Sequence, residues 1–73
     1  MLKFQLVTDG RESETVLIAL SEIASVRQYE DRKAYGGYFS ASEIVLKNGK
    51  SFRVYGHVES DVRNAFEVSE IGA

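Results

Sequence analysis

The feature that most constrains the fold is the pair Asn48-Gly49, which lies between two short runs of β-branched and aromatic residues. An Asn-Gly pair in this setting is a strong signal for a β-hairpin. A two-residue loop would place Ile44 opposite Arg53. A three-residue loop, with Gly49 in the left-handed conformation, places Ile44 opposite Phe52 instead. We favour this second register because it gathers the large apolar side chains on one face of the hairpin.

Other parts of the chain show period-2 alternation or short apolar runs bounded by turn residues, which predict further strands. The five predicted strands cover residues 2–6, 15–20, 23–29, 41–46 and 51–55. A turn is predicted at Thr8-Asp9-Gly10-Arg11, followed by a polar loop to Glu14. The run 15–20 is apolar on both faces, which is typical of a central strand or of one that bends around a core. A single helical turn over residues 20–24 is an alternative, and residues 30–40 are predicted to be irregular.

The period changes near the end of the chain. Val58, Val62, Phe66 and Ser69 recur at spacings of three and four, which predicts a helix from about residue 57 to residue 68. The predicted fold class is therefore mainly β, a β-rich α+β fold. We expect five antiparallel strands in a strongly curved meander or small barrel that is closed by one C-terminal helix. Residues 1–73 form a single small domain.

Composition excludes several classes of function. The chain has no cysteine, so it has no disulfide framework, thiolate zinc site or cysteine nucleophile. The chain has a single histidine, His57, so a metal site with several histidine ligands is excluded. The longest apolar run is far shorter than the roughly 20 residues that span a bilayer, and the first residues do not form a signal peptide. We expect a cytoplasmic protein that is not an enzyme, with no catalytic residue, metal, cofactor or membrane contact.

Charge and size point to partners. The net charge is −2, but residues 27–53 carry six basic and three acidic side chains between two acidic ends. Solvated charges on hairpin loops explain this pattern, and so does an anion-facing surface. A chain of this length buries only roughly 60% of its unfolded surface, so a partner would add stability. We therefore predict a homo-oligomer. Contact between the basic middle of one copy and the acidic end of another is then a further explanation of the charge pattern, beside the anion-facing surface.

The best functional candidate lies within the basic middle, in the Arg32–Phe39 loop. Aromatic side chains give a loop large contact area, cations pair with anions, and glycine permits close backbone approach. The alternative is that the aromatic residues fold back over a small core, a role that we assign first to Phe39. The predicted function is an accessory module that engages a protein partner or a small anionic ligand. Its predicted contact residues are Arg32, Lys33, Tyr35, Gly36, Gly37 and Tyr38.

A nucleic-acid-binding regulatory protein is the second interpretation. It would use Arg27, Arg53 and Tyr55 together with the same loop, since aromatic and cationic side chains suit single strands. An isoelectric point near 5.3 opposes it, because an acidic protein repels a polyanion at long range. His57 completes this secondary surface, either as an anion contact or general base at the helix start or as a capping or exposed side chain.

The run Ile44-Val45-Leu46-Lys47-Asn48-Gly49-Lys50-Ser51-Phe52-Arg53-Val54, followed by Glu59-Ser60 and the Val58/Val62 stripe, resembles the FlbD family of small flagellar-associated proteins. The same hairpin and helix are similar to the longer DNA-binding domain of LytTR-type response regulators. The resemblance covers residues 4–66 loosely, and the segment 29–40 departs from both patterns. It implies a compact β-rich accessory or binding protein, and it carries over no catalytic residue. For a short accessory chain of this type we expect a bacterium or a phage as the source.

Overall fold

In the computed structural model, which describes residues 1–8 and 11–72, five β-strands precede one α-helix. For residues 69–72 only the backbone is described. A short 3₁₀ turn, Leu20–Glu22, lies between the second and third strands, where a helical turn was one of the two predictions. The elements are β1 (Leu2–Thr8), β2 (Arg11–Ile18), β3 (Ile23–Arg32), β4 (Tyr38–Leu46), β5 (Ser51–Tyr55) and α1 (Glu59–Gly72). The mainly β fold class with a C-terminal helix is confirmed.

The strands form one antiparallel sheet in the order β2-β1-β5-β4-β3. The consecutive strands β3, β4 and β5 make a meander, and β5 then pairs with β1. The strands β2 and β3 are the two edges of the sheet and do not pair with each other within the described residues. The sheet is therefore open, and the small barrel is not confirmed.

The connection between the two edge strands requires the sheet to curve. It runs from Ile18 to Ile23, and most of it is the 3₁₀ turn. With about 2 Å of rise per residue in the turn and about 3.4 Å elsewhere, it spans about 13 Å. Five flat strands spaced about 4.8 Å apart would hold the two edges about 19 Å apart. The sheet therefore curls, and its concave face, called here the inner face, encloses the core.

The core consists of apolar side chains from the inner face and from the helix. The buried side chains come from all five strands, including the two edge strands, which is consistent with a curved sheet. The helix α1 packs against β3 and the 3₁₀ turn, and its Val62 is buried among the strand residues. The helix thus covers part of the inner face. The buried core residues are Phe4, Ile18, Ile23, Ile44, Val54 and Val62.

A buried hydroxyl fixes the connection from β5 to α1. The Oγ of Ser42, on the inner face of β4, donates to the carbonyl oxygen of Gly56 at 2.8 Å and accepts from the amide of Val58 at 3.1 Å. The carbonyl of Val58 accepts from the amide of Val62, which makes Val58 the N-cap residue. The helix therefore begins at Glu59, two residues later than predicted, and it continues to Gly72 rather than residue 68.

The β4–β5 hairpin has the predicted register. Ile44 lies opposite Phe52. The amide of Leu46 donates to the carbonyl of Lys50 at 2.7 Å, which encloses a three-residue loop. Gly49 has a φ of +89°, the left-handed conformation that this loop requires. Turn chemistry and side-chain alternation were thus sufficient to predict this part of the sheet.

The prediction for β2 is wrong at its start. The strand begins at Arg11, although residues up to Glu14 were predicted to be a loop. Of the two predicted alternatives for its apolar run, the central strand is excluded because β2 is an edge strand, and the strand that bends around a core is left. Its first five side chains are exposed, so the ladder with β1 orders the backbone without an apolar pattern in the sequence. Leu17, in the apolar run, is also exposed. The turn residues Asp9 and Gly10 lie outside the described residues, but Thr8 and Arg11 beside them are paired.

The segment 30–40 is more regular than predicted. The strand β3 continues to Arg32, β4 begins at Tyr38, and these two residues pair across the hairpin. Nearly all side chains near this end are exposed, because the hairpin extends beyond the core, and exposure removes the alternation on which strand prediction depends. The molecule is accordingly elongated, with principal dimensions of 46 × 21 × 18 Å.

Candidate functional site

The end of the β3–β4 hairpin, Arg32–Tyr38, is called here the hairpin tip. The amide of Lys33 donates to the carbonyl of Gly37 at 3.0 Å, and the amide of Gly36 donates to the carbonyl of Lys33 at 3.3 Å. Gly36 and Gly37 have φ values of +95° and +78°, a region that glycine enters without steric cost. The tip is therefore a hydrogen-bonded turn, and the two glycines permit its backbone shape.

The tip presents aromatic and cationic side chains to solvent. Tyr35 is 94% exposed and Tyr38 is 64% exposed, which is unusual for side chains with so much apolar area. The Arg32 guanidinium carbon lies 6.0 Å from the centroid of the Tyr38 ring, at the limit of a cation–π contact. Arg32 and Lys33 take part in none of the ion pairs formed within the described part of the chain. The tip thus carries two positive charges that no carboxylate of its own neutralises.

Two shallow depressions flank the tip. One, of about 340 Å³, is formed by the turn itself between Arg32, Lys33 and Tyr38. The other, of about 280 Å³, lies between Tyr35 and the end of the β1–β2 hairpin, where Arg11 lines it. Curvature of the sheet brings these two hairpin ends together. Arg11 was not predicted as a site residue, since no local pattern in the sequence places it beside the tip.

The convex surface of β3, β4 and β5, called here the outer face, holds a cluster of charged and aromatic side chains. The Nε of Arg53 donates to the Tyr29 hydroxyl at 2.7 Å, and its Nη2 donates to Asp31 Oδ2 at 2.9 Å. The Tyr29 hydroxyl first, and Asp31 to a smaller extent, raise the pKa of Arg53 above its ordinary value. Arg27 lies 3.5 Å from Glu43, and both arginines stand 5.5 Å from the Tyr29 ring centroid.

The outer face brings together Arg27, Arg53 and Tyr55, which were predicted to contact nucleic acid, but other residues of the chain engage each of them. Arg27 and Arg53 each have a carboxylate partner, so this group of four charges sums to zero. The Tyr55 ring stacks on Phe39 with centroids 6.3 Å apart, and Phe39 is buried, as predicted. Tyr29 and Asp31 were missed as members of this cluster. Strand parity could have placed them on this face once the β3–β4 register was known.

His57 lies in the connection between β5 and α1. It is exposed, and its Nε2 lies 3.3 Å from the carbonyl oxygen of Tyr29, a contact that ties the connection to β3. Among the residues that the structure describes, no group of three or more histidine, aspartate or glutamate side chains is placed to hold a metal ion. The arrangement around His57 is that of a structural contact between two elements.

Within residues 1–8 and 11–72, no helix has the length and apolar character that crossing a membrane requires. Comparisons of the chain with protein-family models, curated proteins and solved structures find no match. The resemblance to the FlbD family and to the LytTR-type domain therefore stays a prediction. The function is therefore inferred from the geometry of the tip and of the outer face.

Proposed function

We propose that this protein is a non-enzymatic binding module that engages a protein partner or a small anionic ligand through the Arg32–Phe39 loop and acts as a homo-oligomer. The observation that carries the proposal is the exposure of Tyr35 and Tyr38 beside two cations that pair with no carboxylate among the described side chains, on a hairpin that extends beyond the core. A cytoplasmic location and an origin in a bacterium or a phage belong to the same proposal, as does an accessory role.

The geometry of the tip favours binding over a structural role. Its aromatic rings bury little surface within the chain, so they contribute little to folding. The turn is hydrogen-bonded, and the flanking pair Arg32 and Tyr38 belongs to the sheet, so less conformational entropy is lost when a partner binds. Tyrosine and arginine are also the side chains that most often contribute large shares of binding energy at interfaces.

The charges of the tip favour an anionic partner. Arg32, Lys33 and Arg11 line the two depressions that flank the tip. A guanidinium pairs with a carboxylate or a phosphate through two parallel hydrogen bonds, and a nearby ring adds contact area. An acidic peptide segment or a small carboxylate or phosphate ligand matches this chemistry.

Nucleic acid takes second place for two reasons. The outer-face arginines have carboxylate partners within the chain, and the whole protein is acidic. Binding to a polyanion depends on the number of phosphates that free cations can neutralise, and the tip offers few. A nucleic acid remains one of the outcomes that the experiments below separate.

The first test compares partner recovery by two triple variants. The tip variant is Arg32→Ala, Tyr35→Ala, Tyr38→Ala. The matched control is Leu17→Ala, Val68→Ala, Lys47→Ala, which likewise removes one cation and two exposed apolar side chains, but from other surfaces. We expect the wild type and the control to retain an immobilised polyglutamate peptide equally, and the tip variant to lose roughly tenfold or more in affinity. Equal retention by all three proteins would remove the tip from the proposal.

The second test follows amide chemical shifts by NMR during titration with inorganic phosphate, and separately with a single-stranded oligonucleotide. Shift changes confined to residues 32–38 and Arg11 support the small-anion form of the proposal. Oligonucleotide binding at low salt that is lost in Arg27→Ala and Arg53→Ala, but not in the tip variant, would replace the proposal with the nucleic-acid alternative.

A further inference from the structure

An apolar groove runs between α1 and the first half of β3. Its walls include Ala24 and Val26 from the strand and Val62 and Phe66 from the helix, and its volume is about 320 Å³. Phe66 remains 40% exposed although its neighbours form a concave surface. An open groove with a large exposed aromatic ring is the kind of surface that a partner side chain covers.

The rim of this groove is negatively charged. Glu59, Arg63 and Glu67 line it along the helix, and Arg63 pairs with Glu59. Glu67 takes part in none of the ion pairs among the described residues. The groove thus combines an apolar floor with a net negative rim.

The hairpin tip complements the groove in shape and charge. Tyr35 projects almost fully into solvent, and Arg32 and Lys33 accompany it on the same turn. A tyrosine ring offers roughly 150–250 Å² of surface to bury, which suits a groove of this volume. The two cations would then lie near the carboxylates of the rim.

The tip cannot reach the groove of its own chain. Both surfaces belong to β3, the groove at residues 23–26 and the tip from Arg32 onward. At about 3.3 Å per residue, the six residues from Val26 to Arg32 hold them about 20 Å apart on one paired strand. A contact between tip and groove therefore requires two molecules.

We propose that the hairpin tip of one copy of this chain binds the α1–β3 groove of a second copy, with Tyr35 in the groove. The proposal rests on the proposed function, because it uses the same tip, and it names the partner as the chain itself. Tip and groove are different surfaces, so the interface is heterologous and each copy offers one of each. The small area of each contact predicts weak association, in the micromolar to millimolar range.

The test uses two single variants that each remove one half of the contact. Tyr35→Ala removes the ring from the tip. Ala24→Arg places bulk and positive charge in the groove, where it excludes and repels the tip. Both positions are exposed, so neither change disturbs the core. Leu17→Ala, at an exposed apolar side chain on the opposite edge strand, is the matched control.

Sedimentation equilibrium over roughly 10 µM to 1 mM measures association. We expect the wild type and Leu17→Ala to rise in apparent mass above the monomer mass of 8.2 kDa as concentration increases. Each single variant should stay monomeric. An equal mixture of the two should form a complex of two chains, because Tyr35→Ala retains an intact groove and Ala24→Arg retains an intact tip.

An NMR measurement locates the contact. Unlabelled Ala24→Arg is added to isotope-labelled Tyr35→Ala, and amide shifts are expected at Ala24, Val62 and Phe66 of the labelled chain. The inference is overturned by a wild type that stays monomeric at 1 mM, by a Tyr35→Ala variant that associates as the wild type does, or by a mixture that forms no complex.

These outcomes are separable from those of the proposed function. Retention of polyglutamate by a monomeric wild type would overturn self-association, including the homo-oligomer of the proposed function, and would leave the tip in place as a binding site for acidic partners. Failure of both experiments would refute the role of the tip altogether.

Discussion

Replacing Ser42 with alanine tests the connection between β5 and α1. The Ser42 hydroxyl is fully buried and makes two hydrogen bonds, one to the carbonyl of Gly56 and one from the amide of Val58. Alanine removes this hydroxyl, so both backbone groups lose their hydrogen bond at once, and it leaves the cavity of a single oxygen atom. The amide of Val58 is affected most, since a capping residue has no partner for its N–H within the helix.

The expected cost follows from the unsatisfied backbone groups. A polar group left without a partner in a buried setting costs about 1–3 kcal/mol. A domain of 73 residues has a total unfolding free energy of about 4–11 kcal/mol at about 0.05–0.15 kcal/mol per residue. Each kcal/mol lowers the melting temperature of a domain of this size by about 4–8 °C, so a loss of about 2 kcal/mol corresponds to about 8–16 °C.

Urea and thermal denaturation of Ser42→Ala measure this cost, with Ser51→Ala, at an exposed serine of β5, as the matched control. Hydrogen exchange of the Val58 amide provides a local readout, and we expect it to accelerate in Ser42→Ala alone. A change of less than about 0.5 kcal/mol, together with unaltered exchange at Val58, would refute the idea that this hydroxyl holds the helix start.

Two further predictions concern the helix and the β4–β5 turn. Val62→Ala truncates a core side chain that is 4% exposed and should lower the free energy of unfolding by about 1–3 kcal/mol. The control Val68→Ala, at 69% exposure, should change it by less than about 0.5 kcal/mol. Similar losses for the two variants in urea denaturation would contradict the packing of α1. In Gly49→Ala the added methyl group would lie in open space, but the alanine must adopt a φ of +89°. We therefore expect the free energy of unfolding to fall by about 1–2 kcal/mol from backbone strain alone. An unchanged urea midpoint would argue against this turn.

The parts of the fold that the sequence predicts are those with local causes. The β4–β5 register follows from Asn48-Gly49 and the alternation beside it. The acidic residues Glu59 and Asp61 mark the first turn of the helix, as their preference for the positive end of the helix dipole predicts. The helix start was displaced by two residues because its cap depends on Ser42, which lies in a distant strand.

The parts that were predicted wrongly depend on tertiary structure. The polar half of β2 is a strand because β1 supplies its hydrogen bonds. Residues 11–15 have no apolar alternation from which a strand could be predicted. The same holds for the outer end of the β3–β4 hairpin. Pairing of β5 with β1 joins segments far apart in sequence, and the open sheet rather than a barrel results from the two edges remaining unpaired within the described residues.

The candidate site was predicted in its composition but not in its surroundings. The predicted contact residues lie together on one exposed turn, namely Arg32, Lys33, Tyr35 and Tyr38. Residues at the end of one hairpin are neighbours in any fold that contains the hairpin. The proximity of Arg11 depends on sheet curvature, and the pairing of Arg53 with Asp31 depends on a register set by a loop whose length was misjudged.

The pairing between β1 and β5 divides the molecule into two folding units. It consists of one residue pair, Leu6 with Val54, whereas the remaining strand pairs are hairpins. These two residues are 48 positions apart, so closing the loop between them costs more entropy than forming either hairpin unit. We expect this seam to form last and open first, which amide hydrogen exchange would report as lower protection in β1 than in β4. Val54 is buried at this seam. Opening of the seam therefore separates the β1–β2 hairpin from the core and exposes the interior, while β3, β4 and β5 stay paired.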